Sequence, residues 1–254
     1  MRNSSHFAAV GYFTDLAARQ GLIGMGSTTA AGIRVAPTGG AEAKLGTDPW
    51  SFSAPSNDPD PFLLDMATTT VAYGKIRNKM NENDQMPIGW GMDADGRSTT
   101  DPLHVTRNGG FMTPLGGTLE GSSYKGYGLS MMVNILSSCL TGATLITDPE
   151  HTKKPKGYDI GHFFLAIDPG VFREAGEFEA DVAHLCGDLR ATRRADPDVP
   201  VQVAGDPQWD IERRYRQDGI PIGPGLTAKL RDVADRAGVD WILGSAEMTA
   251  GNAT

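Results

Sequence analysis

The 254-residue sequence has only two cysteines and five histidines, and no long apolar run. It contains neither a Cys-x-x-Cys pair nor histidines at metal-ligand spacing, so we expect no metal site. Basic residues are also few: 23 lysines and arginines stand against 31 aspartates and glutamates, which gives a formal net charge of −8. Because no basic helix or arm offsets this balance, we expect no nucleic-acid partner.

The short apolar runs and the scarce cysteines also bear on where the protein works. No stretch approaches the length of a membrane span, and no signal-peptide core follows Met1. Cys139 and Cys186 lie within apolar, helix-like patterns, which predicts buried free thiols in a reducing compartment. We therefore expect a cytoplasmic protein with no membrane partner.

Glycine, by contrast, is abundant, and one glycine-rich stretch carries the clearest ligand signal. A turn at 114–117 precedes the segment 125–128, whose lysine lies beside Gly126 and Gly128. Apolar spacing predicts a helix over 127–140 that is buried on most sides. The glycines would let backbone N–H groups approach a ligand, and the helix N-terminus offers free donors, which favours a phosphate or carboxylate site. An ordinary core helix with a solvated lysine is the alternative.

The hydrophobic patterning predicts an α/β fold. Alternating or continuous short apolar runs predict strands over 22–25, 50–54, 62–67, 163–167 and 199–203. Helical spacing predicts further helices over 71–80, 172–189, 209–217 and 226–237. No linker is long enough to separate domains, so we expect one domain over 1–244 and a disordered tail over 245–254.

Histidine is the commonest proton-transfer residue because it titrates near neutral pH. His6 lies where a polar Asn-Ser-Ser segment meets a helical pattern, a place from which a side chain can reach a cleft. The alternative is a solvated histidine near the chain terminus. His104 and His162 are rival candidates, and His162 also fits a buried histidine at the start of a strand.

Taken in order, the motifs resemble those of the type-2 malate/L-lactate dehydrogenase family, which also holds ureidoglycolate and sulfolactate dehydrogenases and some cyclic imine reductases. The resemblance covers residues 2 to about 243. The segments that carry it are 3–7, 39–40, 45–49, 64–69, 74–76, 99–102, 114–117, 125–129, 161–164 and 166–169.

The resemblance implies a non-Rossmann nicotinamide-binding fold, built on a mixed β-sheet with flanking helices. It also implies NAD or NADP as cofactor, a 2-hydroxy or 2-oxo acid as substrate, and a homodimer with sites near the subunit interface. His6 matches the family's proton-transfer histidine. The positions that match its cofactor-binding residues are Ala30, Asp65, Met66, Ala67, Lys125, Gly205, Asp206 and Pro207.

The sequence departs from the family pattern at several points. The family has a helical segment before the histidine motif that helps to hold the substrate carboxylate, whereas Met1 stands almost on that motif, so we expect this segment to be missing. Ala8, Ala30 and Asp48 replace the usual glycine, serine and asparagine. If Asp48 faced an anionic cofactor, it would weaken binding by repulsion. The alternative to an enzyme is therefore an inactive remnant that binds only cofactor or a partner chain.

Overall fold

Two β-sheets and a set of flanking helices make up the described part of a computed structural model, which covers residues 1–30, 32–148 and 159–243. Within those ranges the strands are β1 (Ile23–Thr28), β2 (Trp50–Ala54), β3 (Phe62–Met66), β4 (Gly91–Met92), β5 (Ser98–Thr99), β6 (Phe111–Met112) and β7 (His162–Ile167). The α-helices there are α1 (Val10–Ala18), α2 (Tyr73–Asn81), α3 (Pro102–Thr106), α4 (Tyr124–Asn134), α5 (Glu177–Arg190), α6 (Asp206–Asp218) and α7 (Pro224–Ala237). The predicted α/β class is confirmed, whereas the strand predicted over 199–203 is wrong, because that segment is irregular.

The larger sheet has the strand order β3-β2-β1-β7, and its neighbouring strands are antiparallel. In its register Ser27 lies opposite Trp50, Trp50 opposite Met66, and Thr28 opposite His162. The end of β1, the start of β2, the end of β3 and the start of β7 therefore meet at one end of the sheet, which we call the Thr28 end.

Helix α1 packs closely on β1 because two glycines of that strand leave room for it. A Cβ atom added at Gly24 would lie 2.6 Å from the Thr14 carbonyl oxygen, so a side chain there would push the helix away. The contact is also polar: the Thr14 hydroxyl lies 2.7 Å from the hydroxyl of Ser51. Such satisfied buried hydroxyls fix the helix in one position on the sheet.

The smaller sheet, with the order β5-β4-β6, lies beside the main apolar core. An isolated bridge between Val35 and Met112 is parallel, so the chain uses both pairing directions. The buried members of this core are Val35, Leu45, Val71, Ile76, Met86, Met112 and Ile146.

The buried face of α4 is polar, which corrects the prediction of a helix covered by apolar side chains. Its buried residues are Gly126, Ser130, Val133 and Asn134. A π-helical turn, Ile135–Cys139, continues the helix and buries Ser137 and Ser138. Ile135 and Leu140 are instead 52% and 67% exposed, and Cys139 is exposed, so the prediction that both cysteines are buried is wrong for Cys139 and right for Cys186.

The chain divides into a unit over Met1–Asp206 and a second unit over Pro207–Thr254. In the described part of the second unit, Trp209 is buried in α6, and the Arg231 guanidinium lies 4.9 Å from the Trp241 ring centre beyond α7. The single domain over 1–244 stays a prediction. The tail predicted over 245–254 lies outside the described residues.

Candidate active site

His6 lies on the exposed segment that leads into α1, close to the Thr28 end of the larger sheet. The neighbouring Phe7 ring lies 4.2 Å from the His162 ring and 4.8 Å from the Phe13 ring, which anchors the segment against β7 and α1. The His6 Nδ1 atom accepts a 3.0 Å hydrogen bond from the Ala8 N–H group. In the neutral imidazole the proton therefore sits on Nε2.

The rival histidines make structural contacts. His162 is only 1% exposed, and its Nδ1 lies 2.7 Å from the Thr28 hydroxyl. Burial lowers the pKa of His162, and the positive N-terminus and His6 lower it further against an opposing hydrogen bond with the Ser5 backbone, which favours the neutral ring. His104 Nδ1 lies 2.8 Å from the Thr99 hydroxyl in the smaller sheet. Of these three histidines, His6 is the exposed one at the Thr28 end.

Ala30 follows the end of β1, and its backbone is held by a buried acid. The Asp48 Oδ1 atom accepts a 3.1 Å hydrogen bond from the Ala30 N–H group. Asp48 is 0% exposed, so its carboxylate does not face an open site. The condition for direct repulsion of an anionic cofactor is therefore not met in this structure.

Asp65, Met66 and Ala67 lie at the end of β3, and Asp65 also caps a helix. Helix α1 begins without a capping side chain at Ala9, and the Asp65 Oδ2 atom accepts a 2.8 Å hydrogen bond from the Gly11 N–H group in its first turn. Burial raises the pKa of Asp65, although this hydrogen bond favours the charged form. Asp65 thus ties the end of β3 to the helix that follows His6.

Lys125 lies in the first turn of α4, two residues before the predicted helix start at Tyr127. The N–H groups of Lys125, Gly126 and Tyr127 already donate to backbone oxygens, so the prediction of free donors at this helix end is wrong for these three groups. The glycine prediction is wrong for Gly126: a Cβ atom there would overlap the backbone of Leu115. Nothing lies within 4 Å of a Cβ atom added at Gly128.

The side chain of Lys125 is exposed, and among residues 1–30, 32–148 and 159–243 its ammonium group has no hydrogen-bond or ion-pair partner. Its helix is linked to β3 through one backbone segment. The Leu115 N–H group donates to the Thr68 carbonyl over 2.9 Å, and the Gly126 N–H group donates to the Leu115 carbonyl over 3.2 Å. The link places the start of α4 next to the chain that leaves β3.

Gly205 and Asp206 lie beside β3, because the Leu63 N–H group donates to the Ala204 carbonyl over 3.3 Å. The carboxylate of Asp206 forms an ion pair within the fold, because it accepts hydrogen bonds of 2.8 and 3.0 Å from the guanidinium of Arg190. Pro207 belongs to the first turn of α6 and opens the second unit. The structure thus brings Gly205 and Asp206 to the outer strand of the sheet rather than to its Thr28 end.

Three further features were not predicted from the sequence. The first is that the carboxylate of Asp48 binds α4 as well as Ala30. In the sequence, the only local sign of this contact is the pair of polar residues Ser130 and Asn134, four positions apart on the helix. The second is the Leu115 link. The third is a cleft of about 230 Å³, which lies beside the 114–117 turn and is lined by Pro37, Thr38, Met92, Thr113, Pro114, Leu119 and Ser123, among others.

In the described ranges no group of three or more residues is placed to hold a metal ion. No helix in the same part of the chain is long and apolar enough to cross a membrane.

Comparison with known proteins identifies the family. The malate/L-lactate dehydrogenase family profile matches residues 1–231, and the chain belongs to that family. It is 37% identical over 242 residues to malate dehydrogenase of Pyrococcus horikoshii, an alignment that covers 95% of this chain and 66% of the relative. It is 33% identical over 223 residues to ureidoglycolate dehydrogenase (NAD(+)) of Escherichia coli O157:H7, covering 85% and 60% of the two chains.

The crystal structure of malate dehydrogenase from Entamoeba histolytica shares the fold, with a TM-score of 0.88 and 30% identity. That superposition covers 95% of this chain and 68% of the Entamoeba chain. The predicted family and its fold are therefore confirmed. The chain spans 66% of the Pyrococcus relative and 60% of the Escherichia relative.

Proposed function

We propose that this chain carries the cofactor-binding and proton-transfer part of an NAD(P)-dependent oxidoreductase. The reaction transfers a hydride between the nicotinamide cofactor and a 2-hydroxy or 2-oxo acid. One observation carries the proposal: in a chain of this family, His6, Ala30 and Asp65 to Ala67 lie at the same end of one sheet. The relatives named malate dehydrogenase and ureidoglycolate dehydrogenase (NAD(+)) support the substrate class and the cofactor.

The residues present fit an anionic dinucleotide. Because the backbone donors in the first turn of α4 are occupied, a phosphate group there is held by the Lys125 ammonium rather than by the helix backbone. Gly128 leaves open space one turn further along the helix. The second carboxylate oxygen of Asp65 makes no hydrogen bond with the described residues, and such an oxygen accepts well from a ribose hydroxyl.

The protein's own chemical task is to move one proton, since the bound cofactor supplies the hydride chemistry. His6 is exposed, with Nε2 as its protonated nitrogen in the neutral state. Proton transfer at Nε2 requires Nδ1 to carry the other proton, and this breaks the hydrogen bond from Ala8. We propose that His6 takes the hydroxyl proton during oxidation and returns it during reduction.

The test is a fluorescence titration of the full chain with NADH and with NADPH. Lys125→Ala should weaken binding by about 1.5–3 kcal/mol, the range for a hydrogen bond to a charged group. Lys229→Ala, which removes an exposed lysine on α7, is the matched control and should change nothing. Equal affinities of the wild type and Lys125→Ala would refute the assignment of Lys125, and no binding of either cofactor would refute the proposed function.

The proposal includes a homodimer. Exposed apolar side chains occur along α4, in its π-helical turn and directly after it: Tyr124, Met131, Ile135 and Leu140. Apolar surface of this kind favours association. Light scattering should therefore show a dimer or larger species at micromolar concentration, and a stable monomer would contradict this part of the proposal. NADP as an alternative cofactor and the cytoplasmic location stay predictions.

A further inference from the structure

Asp48 is a fully buried acid with an unusual set of neighbours. Aspartate is rarely buried completely unless it is paired, because a charge loses its hydration in the protein interior. Asp48 is 0% exposed, and in the described part of the chain no basic side chain forms an ion pair with it. Something other than a positive charge must therefore stabilise its carboxylate.

Hydrogen-bond donors from separate parts of the chain surround this carboxylate. Oδ1 accepts from the Ala30 N–H group over 3.1 Å. Oδ2 accepts from the Ser130 hydroxyl over 2.7 Å and from the Asn134 side-chain amide over 2.9 Å. Burial raises the pKa of Asp48, whereas the hydrogen bonds from Ser130, Ala30, Asn134 and Gly46 oppose that rise by favouring the charged form.

The space around the carboxylate is closed as well as polar. A Cβ atom added at Gly46 would lie 2.5 Å from the Ala30 Cβ and 2.8 Å from the Asp48 Oδ1. The Asp48 backbone adopts φ 33°, in the left-handed region that side chains rarely occupy. The surrounding contacts thus hold this residue in a specific and costly conformation, as is common at functional sites.

These hydrogen bonds connect two parts of the chain that match the family's cofactor-binding positions: the segment after β1 that includes Ala30, and helix α4, which carries Lys125. Ser130 and Asn134 are four residues apart on one face of α4, and Asn134 also donates to the Ser130 carbonyl over 2.9 Å. Because the Asp48 carboxylate accepts hydrogen bonds from both Ser130 and Asn134, it restrains the rotation of α4 about the helix axis. Lys125 lies in the first turn of the same helix, so the point at which its side chain leaves the backbone is set by the same contact. The other oxygen of the same carboxylate holds Ala30.

We propose that Asp48 is a positioning residue for cofactor binding, which sets the geometry between the Ala30 segment and the Lys125 helix before the cofactor arrives. The proposal rests on the proposed function, because that function assigns the cofactor to Ala30 and Lys125. Asp48 itself touches no cofactor. Its effect passes through the backbone of Ala30 and the orientation of Lys125.

A double-mutant cycle on the full chain tests this role, with the dissociation constant for NADH as the readout. Asp48→Ala should weaken NADH binding about 10- to 100-fold, the loss typical when a partner that orients a ligand-binding group is removed, by analogy with the groups that orient metal ligands. Asp48→Asn keeps an acceptor for the Ala30 N–H group and should lose less. Lys125→Ala raises the logarithm of the NADH dissociation constant by some amount in the wild type. In the Asp48→Ala background it should raise that logarithm by less than half as much, because Lys125 is no longer held in position to contact the cofactor.

Ile76→Ala is the control for a loss of stability alone, because Ile76 is buried in the apolar core beside the smaller sheet. It should bind NADH like the wild type while it unfolds at lower denaturant concentration. Normal NADH affinity of folded Asp48→Ala, or full additivity with Lys125→Ala, would overturn the positioning role but leave the proposed function standing. If Asp48→Ala does not fold, the cycle with Asp48→Asn decides by the same criteria. Failure of the wild type to bind NADH and NADPH overturns both proposals.

Discussion

Ala8 is the residue whose replacement gives the sharpest test of the backbone around His6. Its φ of 70° lies in the left-handed region, where an L-residue with a Cβ atom is disfavoured by about 1–2 kcal/mol. Glycine removes that penalty, but it also gives the unfolded chain more freedom, which costs about 0.4–1 kcal/mol. Ala8→Gly should therefore raise the free energy of unfolding by about 0.5–1 kcal/mol.

The next residue provides a matched control. Ala9 has φ −79° and ψ 129°, an extended conformation that alanine adopts without strain. Ala9→Gly brings the entropic penalty without relieving strain, but Ala9 is the N-cap of α1, where glycine is better tolerated than alanine, so the free energy of unfolding should change by less than about 0.5 kcal/mol. Denaturant titrations of both variants against the wild type, analysed by linear extrapolation, give the two differences directly.

Ala8→Gly should therefore be the more stable of the two variants. If Ala8→Gly were no more stable than Ala9→Gly, then Ala8 would not be strained and the described path from His6 into α1 would be wrong. The hydrogen bond from the Ala8 N–H group to His6 depends on this same turn. A refutation here would therefore also remove the assignment of the His6 proton to Nε2.

Two other predictions concern glycines and pH. Gly126→Ala should destabilise the fold by about 1–3 kcal/mol, because the new Cβ atom would overlap the Leu115 backbone. Gly128 lies in open space within the same helix, so Gly128→Ala should stabilise the fold by about 0.5–1 kcal/mol. Thermal or denaturant unfolding of both variants measures the two differences. Burial raises the pKa of Asp48 above 3.8, so the folded chain binds the carboxyl proton more tightly than the unfolded chain does. The contribution of Asp48 to stability therefore falls as pH rises from about 3.8 through its folded-state pKa. The free energy of unfolding of Asp48→Asn, relative to the wild type, should therefore increase across that window, and a pH-independent difference would contradict the burial argument.

Local patterns in the sequence predicted the elements that present the site. Alternating side chains located β2 at its observed bounds, and short apolar runs located β3 and β7 to within one residue. These strands can be recognised in the sequence because each buries apolar side chains of its own, which leaves a short apolar or alternating pattern. The helix behind Lys125 was also predicted, with a start three residues too late at Tyr127.

The contacts that organise the site could not be predicted in this way, because they join distant parts of the chain. Asp48 binds Ser130 across 82 positions, and Asp65 caps the first turn of α1 across 54. Apolar spacing suggested the wrong buried face, since Asp48 supplies a hydrogen-bonding partner for the polar face of α4 and Ser27 supplies one for Ser137 in the π-helical turn. A pattern of side-chain types records what a helix carries, but it does not record which distant group satisfies a buried hydroxyl or amide.

The most direct test of the proposed reaction follows deuterium from a deuterated nicotinamide cofactor into a 2-oxo acid, with mass spectrometry of the product. The assay should use this chain and a chimera that adds the part of the Pyrococcus horikoshii malate dehydrogenase outside the matched region, because the chain spans 66% of that relative. We predict cofactor binding by both proteins, deuterium at C2 of the 2-hydroxy product with the chimera, and little or none with this chain alone. His6→Ala in the chimera should slow transfer by about 10²- to 10⁴-fold and leave cofactor affinity unchanged. Full transfer by the present chain, no transfer by the chimera, or an unchanged rate after His6→Ala would contradict the account.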